Sequence, residues 1–196
     1  PKGVLLSHRA MLNNIRAVRD GLGLHANDIS VNWIPLYHDM GLIDAFLLPF
    51  LTGCQTVLFP TMDFLRDPVL WLQMIHRYRG TISWAPNFAY TLAVRRATDT
   101  VLDSLDLSCW RIAINASEPV LPETITAFAE RVHRAGFSAA AITPAWGLAE
   151  NVTIATAQPV DEAPTIEVLD RQLLAAGGVA YTLPTGADGM RSVAIG

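Results

Sequence analysis

The chain has 196 residues, 51% of them hydrophobic and 16% charged, with a formal net charge of −4. That length supports one core-bearing domain, or one domain and the start of another, and the apolar fraction excludes a long disordered tail. The mildly acidic balance excludes a surface built for nucleic acid, while leaving open phosphate recognition by backbone amides and one or two cations.

In chain order, Ser7 is a good N-cap for a helix to about residue 20, with Met11, Ile15 and Val18 on one face and Gly21 at its end. Residues 31–35 read as a strand, a helix-like apolar run follows from Gly41, and 56–59 read as a second strand. Asp67-Pro68 opens a helix to about residue 79 with Leu72, Ile75 and Tyr78 inward. Residues 81–85 are strand-like, Asn87 is the expected cap of a helix to about residue 97, and 111–115 are again strand-like. Pro122 opens a helix with Ile125, Phe128, Ala129 and Val132 on one stripe, closed by Gly136, and 140–144 form the last clear strand. This alternation predicts an α/β fold over residues 1–157, a mostly parallel sheet flanked by helices. The pattern weakens from residue 158. A linker over 161–164, a short helix over 168–176 and a turn-rich stretch over 185–189 predict that 158–196 begin a following subdomain.

Several classes drop out. Cys54 and Cys109 lack CxxC spacing and the five histidines lack metal-ligand spacing, so reduced thiols in a cytoplasmic protein are expected rather than a disulfide framework or a zinc site. The apolar stretch 41–51 is too short for a bilayer and carries Asp44 and Pro49, so no membrane insertion is expected. The chain starts at Pro1 without an initiator methionine and ends in a strand-like Ile195-Gly196, as a piece of a longer protein would.

In open parallel sheets, ligands lie outside the carboxyl ends of the strands. Polar and aromatic residues collect at four such ends: Tyr37, His38 and Asp39; Asn87 and Phe88; Ser117 and Glu118 after Asn115; and Trp146 to Glu150. Each has an ordinary reading, as a buried pair, a core tryptophan, a turn residue or a solvent-facing carboxylate. Four in succession predict a shared cleft with a histidine, carboxylates and an aromatic plate. They do not specify a reaction.

A family resemblance goes further. Pro1-Lys2-Gly3-Val4 with Ser7-His8 resembles the tail of the phosphate loop of adenylate-forming enzymes, the acyl-CoA synthetase and luciferase superfamily. Trp146-Gly147-Leu148-Ala149-Glu150 resembles its aromatic-Gly-x-x-Glu motif. The run from Trp33 to Leu42, Phe64-Leu65 with Trp71 and Tyr78-Arg79, Pro86-Asn87-Phe88-Ala89-Tyr90 and Asn115-Ala116-Ser117-Glu118-Pro119-Val120 are similar to the fatty acyl-AMP ligase form. The match covers about residues 1–156 and implies the central part of a large N-terminal domain.

The resemblance implies ATP-dependent activation of a fatty acid to acyl-AMP, with Mg²⁺ and with an acyl carrier protein as acceptor. It implies a catalytic set of Lys2 on the β- and γ-phosphates, His38 near the α-phosphate and incoming carboxylate, and Glu150 on the metal. Trp146 would lie against adenine, with Gly147 and Asn115, Ala116, Ser117, Glu118 and Pro119 around the same pocket. Trp84, Asn87, Phe88 and Ala89 would line the acyl tunnel. Residues 166–196 resemble the insertion that distinguishes acyl-AMP ligases from CoA ligases. A CoA ligase, or a degenerate nucleotide-binding domain without turnover, are the alternatives. The chain departs from the family form at Ala116-Ser117, where Gly-Ala is expected, at Trp146, where tyrosine is commoner, and at Pro86, where glycine is usual. The Ser/Thr-Gly run expected before Pro1, the ribose-binding aspartate and a small C-terminal domain with a lysine lie outside this sequence, so the chain alone is expected to be inactive.

Overall fold

In the computed structural model, which describes residues 3–178, 180–184 and 186–195, the Ser7 hydroxyl accepts the amide of Ala10 at 3.1 Å and caps α1 (His8–Gly21). The chain continues through β1 (Ile29–Asn32), a π-helical segment Met40–Leu47 that runs directly into α2 (Leu48–Thr52), and β2 (Gln55–Leu58). Next come α3 (Thr61–Arg66), α4 (Val69–Tyr78), β3 (Ile82–Ala85), α5 (Asn87–Arg96), α6 (Asp99–Asp103) and β4 (Ile112–Asn115). They are followed by α7 (Pro122–Val132), β5 (Ile142–Gly147) and β6 (Ile154–Ala157). The last elements are β7 (Ile166–Leu169), α8 (Arg171–Gly177), β8 (Thr182–Leu183) and β9 (Met190–Val193).

The main sheet has six strands in the order β2-β1-β3-β4-β5-β6. The first five run parallel and β6 returns antiparallel to β5. A three-stranded antiparallel sheet, β8-β7-β9, follows. The expected α/β architecture with a mostly parallel sheet is therefore present. Strands β3 and β4 are buried along their whole length, as central parallel strands covered on both faces must be.

Large aromatics fill the space between sheet and helices, and each buried polar tip among Trp71, Tyr90 and Trp110 finds a partner. Trp71 Nε1 donates to Ser83 Oγ at 2.8 Å, Tyr90 Oη to the Ile114 carbonyl at 2.7 Å, and Trp110 Nε1 to the Ile112 carbonyl at 2.9 Å. Tyr90 and Trp110 meet Phe128 edge-to-face, Trp71 stacks on it, and Phe128 in turn meets Phe137 edge-to-face. No helix among the described residues is long and apolar enough to cross a membrane.

Several local expectations are corrected by the structure. Asn87 starts α5 but does not cap it: its side chain turns inward, and Glu118 from a distant loop accepts the Phe88 amide instead. The single helix expected over 168–176 is strand β7 to Leu169, then α8, whose cap Asp170 accepts the amides of Gln172 and Leu173. Helices α3 and α6 and strands β6, β8 and β9 have no counterpart among the sequence expectations. Of the expected turn-rich stretch, Thr185 lies outside the described residues.

Candidate active site

The residues singled out at the strand ends gather at the carboxyl edge of the parallel sheet. After β1, a tight turn brings the His38 amide to the Pro35 carbonyl at 3.0 Å and the amides of Gly41 and Leu42 back to the His38 carbonyl at 3.0 and 2.9 Å. A Cβ at position 41 would overlap the Pro35 carbonyl, so this turn requires glycine. His38 Nδ1 lies 2.9 Å from Asp39 Oδ1 and 3.2 Å from the Met40 amide. The ring is thereby held on one side, while Nε2 makes no hydrogen bond among the described residues. Asp39 in turn caps the π-helical segment through the Met40 amide at 2.7 Å.

After β3, Asn87 is buried, and its amide donates to Thr124 Oγ1 at 3.2 Å while accepting the Leu121 amide at 3.1 Å and Asn115 Nδ2 at 3.3 Å. It braces the end of β4 against α5 and α7. Phe88 remains 40% exposed, its ring edge-on to both members of the stacked Trp33–Phe64 pair. Ala89 and Trp84 are fully buried.

After β4, the Ala116 amide donates to the Ala85 carbonyl at 3.2 Å. Ser117 follows at φ 71°, a left-handed conformation that favours glycine, with its hydroxyl 3.4 Å from Met40 Sδ. Glu118 and Pro119 are exposed. After β5, Trp146 presents a ring 52% exposed, and the strand register shifts between it and Gly147. A Cβ on Gly147 would overlap the Thr153 carbonyl. Glu150 stands exposed on the turn Ala149–Asn151, with no hydrogen bond or ion pair among the described residues. Val152 then adopts φ 73° and ψ −60°, a strained state for a β-branched residue.

Asp44 was missed as a site residue. Its only sequence signal was an acid inside the apolar run 41–51, noted there as an argument against a membrane span. It is buried, its Oδ2 accepts the Thr153 hydroxyl, and its Oδ1 has no partner among the described residues. Burial pushes its pKa up to about 8, the Thr153 hydrogen bond opposes that rise, and the nearby Asp39 charge adds to it. Asp44 and Trp84 line a cavity of about 30 Å³ that also touches Asp39, Ser117, Gly147 and Thr153. A larger cavity of about 340 Å³ between α1 and β6 is lined by none of the candidate residues. It has no part in the geometry at the strand ends.

The arrangement therefore brings together His38, Phe88, Ser117, Glu118, Trp146 and Glu150 at one edge, with Trp84, Ala89, Asn87 and Asn115 behind them. Lys2 lies outside the described residues. No cluster of three histidine, cysteine, aspartate or glutamate side chains fit for a metal occurs among the described residues. A single free carboxylate such as Glu150 still suits Mg²⁺, which takes one or two carboxylates and completes its shell with phosphate oxygens and water. Cys54 and Cys109 are free thiols.

Comparison with known proteins bears on the family and the fold. The family model for AMP-binding enzymes matches residues 1–173. A putative acyl-CoA synthetase of Caulobacter vibrioides is 36% identical over 99% of this chain and 34% of its own length. The medium-chain-fatty-acid–[acyl-carrier-protein] ligase JamA of Moorena producens is 34% identical over 94% of this chain and 31% of its own. The fatty acyl-adenylate ligase from L. pneumophila, solved in complex with acyl adenylate and pyrophosphate, superposes with a TM-score of 0.94 at 32% identity, covering 98% of this chain and 34% of that one. The chain thus spans about a third of the length of the proteins it matches. By the extent of the family match and the fold it shares with these enzymes, the chain belongs to the AMP-binding enzyme family.

Proposed function

We propose that this chain is the central part of a ligase that activates a fatty acid with ATP as acyl-AMP, releases pyrophosphate and passes the acyl group to an acyl carrier protein. The observation that carries the reading is the convergence of His38, Trp146, Glu150 and the 115–119 loop at the carboxyl edge of the parallel sheet. The edge is of the kind an adenylating enzyme needs, because catalysis there is chiefly alignment and charge neutralisation.

In the proposed reaction a carboxylate oxygen of the acid attacks the α-phosphorus, a P–O bond forms, and the bond to pyrophosphate breaks. His38 directs Nε2 at the α-phosphate and the incoming carboxylate, its Nδ1 side being held by Asp39 and Met40. Trp146 offers a half-exposed ring for adenine, and Ser117, Glu118, Pro119 and Gly147 border the same space, with Asn115 and Ala116 supporting it from beneath. Lys2 neutralises the leaving β- and γ-phosphates. Glu150 provides a carboxylate for Mg²⁺, which when bound offsets phosphate charge. Phe88 and Trp84 bound the apolar acyl site, Ala89 backs it, and Asn87 holds its wall in place. Residues 158–196 act as the start of the following subdomain and its insertion, and the protein works in the cytoplasm.

The test is ATP–pyrophosphate exchange by the full-length ligase with a panel of fatty acids. Acid-dependent exchange is expected, and His38→Ala is expected to lower kcat/KM on the order of a hundredfold. Exchange with no acid would sink the reading. The Caulobacter relative keeps CoA in view as acceptor. Faster transfer to carrier protein than to CoA is the expected result, and equal rates would overturn that part of the proposal.

A further inference from the structure

Buried polar atoms almost always find hydrogen-bond partners, so those that do not mark places where something else belongs. Asp44 Oδ1 and Trp84 Nε1 are both buried and both without a partner among the described residues. Both residues line the same cavity of about 30 Å³, which lies beside Ser117 and Gly147 and one residue from His38 through Asp39. That exceeds the roughly 10–15 Å³ that a single water needs, so the cavity has room for a water or a hydroxyl group.

The two orphans differ in kind. Trp84 Nε1 carries a hydrogen and can only donate, so it needs an acceptor. Asp44 Oδ1 accepts as a carboxylate and can also donate when the carboxyl is protonated, which its burial favours at neutral pH. A methylene chain satisfies neither atom. An ammonium donates but cannot accept from the indole. A hydroxyl serves either state: its oxygen accepts from Trp84 and from the protonated Asp44 carboxyl, and its hydrogen goes to Asp44 when that carboxyl is ionised.

We infer that Asp44 and Trp84 form a subsite for a hydroxyl group on the acyl chain, so that the preferred acid is hydroxylated near its carboxyl end. The inference rests on the ligase reading above and deepens it. Asp44 acts as a specificity-determining residue, positioned by the Thr153 hydroxyl on its other oxygen. Thr153 in turn is packed against Gly147, where a side chain would collide with its carbonyl. The adenine-side strand and the acyl subsite therefore share one rigid joint.

The experiment is ATP–pyrophosphate exchange by the full-length ligase on chain-matched sets of unsubstituted, α-hydroxy and β-hydroxy fatty acids. One hydroxylated series is expected to exceed its unsubstituted partner in kcat/KM by about a hundredfold. Asp44→Ala and Trp84→Phe should each bring that ratio close to one, and Asp44→Asn, which keeps size and a polar atom, should preserve part of it. The ratio is read within each variant, so a loss of folded protein does not imitate the effect. Equal or better use of unsubstituted acids by the unaltered ligase overturns the inference alone and makes the cavity a site for an ordinary bound water. A ratio that survives Asp44→Ala also overturns it. Exchange with no acid of any kind overturns the ligase reading and this inference with it.

Discussion

A carboxyl buried without a counter-charge makes folding depend on pH in a direction opposite to that of most acids. Asp44 has an ordinary pKa of 3.8 and is held at about 8 in the folded chain, burial being the main cause. Between those values the folded state keeps a proton that the unfolded state releases, so stability falls as pH rises. The contribution is fully present below 3.8, declines through neutrality and is lost by about pH 8. Asp44→Asn keeps an acceptor for Thr153 and removes the titration. It is expected to raise stability at neutral pH by on the order of a few kcal/mol and to flatten the decline, as measured by urea unfolding across the pH range. An unchanged slope would mean that the carboxyl is already ionised in the fold. The sequence contained this residue in plain view, but a lone acid in an apolar run reads equally as the solvent side of a helix. Its burial is decided by Thr153 and β6, more than a hundred positions away.

The elements themselves were readable to different degrees, and the differences have physical causes. Buried parallel strands read as short apolar runs, so β3 and β4 were legible to within one residue of their ends, while β1 starts two residues and ends three residues before the expected 31–35. The run after Gly41 was legible as helical, but a π-helical turn has the same apolar composition as an α-helix, so its geometry was not. Capping rules are local, and they point to Asn87 for α5. The actual acceptor comes from Glu118, thirty residues on. That distant cap makes a prediction about the element. Helix α5 has no side-chain cap at Pro86, so Glu118→Ala leaves the Phe88 amide to solvent and removes a negative charge from a helix N-terminus. The expected loss is about 1 kcal/mol, with Glu118→Gln recovering most of it as a neutral acceptor. Thermal unfolding of the three proteins checks this, and equal midpoints would show that the contact contributes nothing.

At the scale of the whole molecule, the parallel sheet separates the candidate site from an anchoring cluster at its other edge. The strand-end rule draws attention to this edge because most candidate residues among the described ones lie at or just after the ends of parallel strands. It says nothing about the opposite edge, where the sequence reading proposed no role for Asp28 or Arg111. There Arg111 grips buried Asp28 with Nε at 2.9 Å and Nη2 at 2.7 Å, Thr81 Oγ1 donates at 2.7 Å, and the His25 amide donates at 2.9 Å. The cluster ties together the entries to β1, β3 and β4. Burial alone would raise the Asp28 pKa, but the hydrogen bonds from Arg111, His25 and Thr81 outweigh it and hold the carboxyl below its ordinary 3.8. Its stability contribution is therefore present above 3.8 and lost as pH falls below it, the mirror image of Asp44. Arg111→Met leaves a buried carboxylate without its partner and is expected to destabilise the fold by about 3 kcal/mol at neutral pH. Pairing it with Asp28→Asn should restore a large part of that loss, because the uncompensated charge is then gone. Exchange kinetics of the folded fraction should change little in either protein, since the cluster lies at the opposite edge of the sheet from the candidate site. A double variant no more stable than Arg111→Met alone would show that Arg111 acts through packing and its bond to the Gly23 carbonyl rather than through Asp28.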